Sequence, residues 1–143
     1  MSADYWAAFE YEVQMFHETR ARLSAYDNEP TVRNALIESF LLHTRILIDA
    51  LLDRGGESDD INLGTLLKAV PAPTTLSESA KALKVAYGSR SEKDTPCWTL
   101  NKRLAHLTNL RGDSFDYLRL YAVLDPLVRT MLHGVAHRQV LCH

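Results

Sequence analysis

A chain of 143 residues with 46% hydrophobic and 24% charged side chains has the size and apolar content of a single globular domain, 1–143, around one core. Its formal net charge of −2 excludes a broad electropositive surface that coats nucleic acid indiscriminately and leaves room only for a local basic patch. Two cysteines, Cys97 and Cys142, are too few for a disulfide framework and read as reduced thiols.

The opening segment MSADYWAAFEYEVQ carries acids and no basic stretch, and no apolar run approaches the roughly 20 residues that span a bilayer. The expectation is a soluble, cytoplasmic protein with no membrane partner. Asp4 is positioned to cap a first helix in which Trp6, Phe9, Val13, Phe16 and Leu23 form one buried stripe, ending near Tyr26. Pro30 suits the first turn of a second helix that stops at Arg54-Gly55-Gly56. The Gly, Asp and Pro-bearing connection 55–76 reads as irregular, with a short helical turn around Leu63 to Ala69.

Thr75 and Glu78 have capping-box spacing ahead of a short third helix closed by Gly88. After the charged linker SRSEKD, Thr95-Pro96 opens a fourth helix running to Gly112, with Thr95 as cap. Phe115 to Leu141 is either one helix kinked near Pro126 or a turn followed by a helix, with Leu120, Leu124, Leu127, Val128, Met131 and Val135 as its stripe. No strand pattern and no internal repeat appears, so the fold class is all-α: a bundle of four main helices, with an irregular loop and short helix between helices two and four.

On a wheel of about 100° per residue, Val32, Leu36, Phe40, His43, Leu47 and Ala50 share one side of the second helix, widened by Ile37, Leu41 and Ile48. Asn34, Glu38, Arg45 and Asp49 form a narrow polar strip, in which Arg45 and Asp49 are an i,i+4 pair. His43, inside the apolar stripe, reads as a buried neutral imidazole with one hydrogen-bond partner. On the fourth helix Leu100, Leu104, Leu107 and Leu110 face the core, while His106 projects to the boundary beside Lys102 and Asn109. His133 and His137 have the i,i+4 spacing of a metal pair, but there is no Glu-x-x-His motif and they oppose the apolar stripe of their own helix. No metal site is assigned to them.

The segments ALIESFLLHTRILIDALLD, LNKRLAHLT and RGDSFDY resemble a group of uncharacterised bacterial small helical proteins and, more remotely, the HEPN (higher eukaryotes and prokaryotes nucleotide-binding) superfamily. The closer likeness spans Val32 to Tyr117; the superfamily link rests on helical order and one motif. The resemblance implies an up-and-down helical dimer whose two motifs face each other, and a ribonuclease chemistry that needs no metal or other cofactor. In that chemistry the RNA 2′-hydroxyl attacks, a histidine moves its proton and a cation steadies the charge developing on phosphate.

Carried over, the histidine is His106. The arginine that the motif places four to six residues earlier is Asn101 here, followed by Lys102. Asn101 donates a hydrogen bond but no charge, which leaves Lys102 or Arg103 to replace the cation. The implied site has His106, Lys102 and Asn101 as catalytic residues, and Arg103, Asn109, Arg45 and Glu38 as substrate contacts. Two classes of function stay open: an RNA-binding or RNA-cleaving element of a toxin–antitoxin or defence system, with a cognate antitoxin as partner, and a non-enzymatic helical dimer that engages proteins. A metal-binding bundle using His133, His137 and either His43 or His106 is the third.

Overall fold

A computed structural model of the chain describes residues 3–54, 74–105 and 117–141. These residues are all-α, with no strand among them: α1 (Ala3–Arg22), a tight 3-10 turn (Leu23–Tyr26), α2 (Pro30–Leu51), α3 (Thr74–Tyr87), α4 (Pro96–Ala105) and α5 (Tyr117–Leu141). The turn anticipated at Leu63 to Ala69 and the end of the fourth helix near Gly112 lie outside the described residues. No described helix is long and apolar enough to cross a membrane.

Local chemistry sets most of the boundaries. Pro30 occupies the first turn of α2, where its missing N–H costs nothing. Thr95 caps α4: its hydroxyl accepts the Trp98 N–H at 3.3 Å and donates to the Glu92 carbonyl at 2.7 Å. Gly88 closes α3 at φ +73°, its N–H reaching the Lys84 carbonyl at 3.1 Å.

Elsewhere the expected boundaries shift. Helix α1 already includes Ala3, which places Asp4 inside its first turn instead of at its cap. Likewise α3 begins at Thr74, so Thr75 is its second residue. Helix α2 stops before the glycines: Asp53 takes the left-handed conformation at φ +55°, and the N–H groups of Asp53 and Arg54 close onto the carbonyls of Ala50 (3.3 Å) and Asp49 (2.8 Å). A short polar side chain tolerates that conformation, so the stop needs no glycine. Helix α5 is continuous through Pro126, which settles the choice between one helix and two.

Helix α2 is central, packing along α1 and against α4 and α5, while α3 lies against α5 and α4. The core forms where these faces meet: Phe9 and Phe16 from α1, Phe40, Leu47, Ile48 and Leu51 from α2, Leu83 and Tyr87 from α3, Leu100 from α4, and Leu120, Leu124 and Val128 from α5. Val32 is 39% exposed, contrary to its place on the wheel, because the buried residues of α2 begin only at Phe40. Leu42 and Ile46, on the opposite side, are also largely exposed. His43 is buried as expected and among the described residues has one side-chain hydrogen-bond partner, Glu12, whose Oε2 is 2.5 Å from Nδ1; the Tyr11 ring meets the imidazole edge-on.

Candidate functional site

A cavity of about 320 Å³ opens where the end of α2, the α3–α4 turn and the start of α4 converge. Helix α2 supplies Arg45 and Asp49, one turn apart, with Nε and Oδ2 separated by 3.8 Å. The stop of α2 supplies Arg54, the turn after α3 supplies Ser89 and Arg90, and α4 supplies Cys97 and Asn101 at i,i+4 spacing. Tyr87, 1% exposed, and Cys97, 7% exposed, give the cavity a buried floor.

The fold fixes Arg54 before any ligand arrives. Its Nη1 and Nη2 both donate to the Gly88 carbonyl, at 3.2 and 3.3 Å, and Nη1 lies 3.9 Å from Cys97 Sγ. Its guanidinium carbon sits 5.3 Å from the centre of the Tyr87 ring, within cation–π range. Burial, then Asp49 and Cys97, push the Tyr87 hydroxyl well above the ordinary phenol range, so it stays protonated and adds no negative charge. Among the described residues, three arginines and one aspartate therefore line the cavity. Arg90 is exposed and Asn101 half-buried, and among the described residues neither has a side-chain partner. Chemically this is a seat for an anion.

Of the residues singled out from sequence, the structure brings Arg45 and Asn101 to this cavity. Lys102 is not among its walls; its ammonium lies 5.9 Å from the centre of the Trp98 ring, one turn back along α4. Arg103 is half-buried and Glu38 exposed, and neither lines the cavity. His106 and Asn109 lie outside the described residues. Arg54, Tyr87 and Arg90 were not anticipated. In sequence the first belongs to a helix stop and the last to a charged linker; only their meeting in space gives them a common role.

No three His, Cys, Asp or Glu groups among the described residues are placed to hold a metal ion. His133 is exposed, and the side chain of His137 lies outside the described set.

A second polar cluster joins α1 to α5. His17 Nδ1 and the Tyr121 hydroxyl are 2.9 Å apart, Asp125 Oδ1 lies 3.7 Å from the same nitrogen, and Arg129 Nε donates to both Asp125 oxygens at 2.9 Å. Arg20 lies over the Tyr121 ring at 5.1 Å. Burial lowers the His17 pKa, opposed by Asp125 and reinforced by Arg129. The unfolded chain takes up the proton near 6.5, the folded chain only at lower pH. The stabilising preference for neutral His17 is thus fully present above that value and lost as pH falls through the folded pKa. Unfolding free energy is expected to fall between about pH 7.5 and 5.5 more steeply in the native protein than in His17→Gln. Equal slopes in paired urea titrations would remove His17 from this role.

Comparisons with protein-family models, curated proteins and solved structures find no match to this chain.

Proposed function

We propose that the protein binds RNA, as a HEPN-like helical protein, and that the Arg45, Arg54, Arg90 and Asn101 cavity is its phosphate seat. The observation that carries this reading is that three arginines and Asn101, the position where the resembled motif has arginine, line one cavity. Charge absent from the motif is present beside it in space, contributed by α2 and by the turn before α4 rather than by Lys102. A phosphate there would meet planar, multidentate donors with Asn101 as a neutral fourth. The chain's small net charge fits recognition at a built site better than coating of a polyanion.

Salt-dependent RNA binding tests this. Each phosphate neutralised on a single strand contributes about −0.7 to the slope of log K against log salt, so Arg45→Gln and Arg90→Gln, which share one phosphate, should each flatten the slope by a part of that amount and weaken binding several-fold. Arg129→Gln, an exposed charge on α5 paired with Asp125, is the control and should leave the slope unchanged. Identical slopes for all four proteins would reject the cavity as the phosphate seat. For cleavage, RNA incubated in EDTA with the native protein and with His106→Ala separates catalysis from binding; equal activity in both, or none, rejects His106 as the catalytic group.

The exposed Leu42 and Ile46, about one turn apart on α2, favour a second reading, a helix-face interface between two copies of the chain or with another protein. Sedimentation of a monomer at high concentration would count against the homodimer.

A further inference from the structure

Among the described residues the cavity has one side made of buried side chains, and that constrains which phosphate enters it. Its 320 Å³ lies at the lower end of the roughly 300–1,000 Å³ of small-ligand sites, room for a phosphate and its attached sugar. Buried Tyr87 and Cys97 close one end. An internal phosphodiester continues into a nucleotide on both sides and would drive one of them into that floor. A terminal phosphate has only one continuation.

Charge points the same way. Among the described residues the walls carry three arginines and one aspartate, whereas a phosphodiester carries a single negative charge and a phosphomonoester about −1.5 to −2 near neutral pH. Donor geometry agrees: of the five N–H groups of Arg54 two are committed to Gly88 and one is directed at Cys97 Sγ, which leaves two for a ligand while the guanidinium rests 5.3 Å from the centre of the Tyr87 ring. Arg90, exposed at the rim with no side-chain partner among the described residues, is free to close over the third phosphate oxygen.

We propose that the cavity is a phosphomonoester site that takes the terminal phosphate of an RNA strand in preference to an internal phosphodiester. The choice of RNA as carrier rests on the function proposed above; the preference for a monoester does not.

The test uses the full chain with one ten-nucleotide RNA prepared with a 5′-phosphate, a 3′-phosphate or two hydroxyl ends, and with adenosine monophosphate as the short ligand. At least one phosphate-ended strand is expected to bind tenfold or more tightly than the hydroxyl-ended strand, and Arg90→Ala, whose side chain makes no hydrogen bond or ion pair among the described residues, should abolish the difference while its thermal unfolding stays unchanged. Equal binding of all three strands, weakened equally by Arg90→Ala, would overturn the monoester preference and leave RNA binding standing. Binding of adenosine monophosphate with no strand bound would overturn RNA as the carrier and leave the monoester site standing. No binding of any of the four ligands would overturn both.

Discussion

Replacing Phe40 with alanine is expected to cost about 3–5 kcal/mol of folding free energy, the range for removing a large aromatic from a close-packed interior. Phe40 is fully buried at the point where three helices meet. Its ring stacks on Phe16 of α1 with centroids 5.8 Å apart and planes 21° from parallel, and Tyr121 of α5 tilts against both at 6.1 and 5.2 Å. Truncation would leave a void walled by rings on separate helices, none of which can collapse into it without pulling its helix off α2. A Phe16→Ala, Phe40→Ala double-mutant cycle should return a coupling of about 0.5–1.5 kcal/mol for the stacked pair beyond its share of burial. Val85→Ala, on α3 and 83% exposed, should fall within about 0.5 kcal/mol of the native protein. Urea titrations with unchanged m-values decide it: a Phe40→Ala loss below about 1 kcal/mol would mean that α1, α2 and α5 do not meet at this ring.

What could be read from sequence follows from the range of the forces involved. Pro30, Thr95-Pro96 and Gly88 act on their own turns, so their signals are local and the structure places them as read. The stop of α2 departs from the reading because Asp53 can take the left-handed conformation that the glycines were expected to supply. Hydrophobic spacing identified Phe16, Phe40, Leu100, Leu124 and Val128 as core residues, since one face of each helix has to be covered. It overstated Val32, because whether a turn is covered depends on where the neighbouring helices end, which no periodicity records.

The site was legible only in part, for the same reason. Arg45 and Asn101 stood out on their own helices. Nothing in the local sequence shows that Arg54, after one helix, and Arg90, before another, would close the same cavity. Lys102 was the natural substitute for a missing cation by spacing along the chain, yet a long flexible stem lets its ammonium settle over Trp98. A charge eleven residues before Asn101 along the chain does not predict the wall it forms; the turn between α3 and α4 does.

That turn depends on Gly88, and Gly88→Ala is expected to destabilise the protein by about 2–5 kcal/mol, combining a left-handed penalty of about 1–2 kcal/mol with overpacking of about 1–3 kcal/mol. At φ +73° a Cβ is strained, and one built here would stand 2.5 Å from Thr95 Cβ and 2.6 Å from its methyl carbon. Thr95 cannot withdraw cheaply, since its hydroxyl accepts from Trp98 and donates toward Glu92 and Ser89. The backbone has to give, and the Gly88 carbonyl that anchors Arg54 moves with it. Loss of stability and loss of anion binding should therefore appear together in this variant. Shortening the neighbour separates the two causes: in Gly88→Ala/Thr95→Gly the collision is gone while the φ penalty and the lost cap remain, so the pair should be less unstable than the sum of the single variants. Strict additivity in urea titrations would show that Thr95 does not press on Gly88. A Gly88→Ala protein that keeps native stability and native affinity for phosphate would show that the left-handed turn does not shape the cavity.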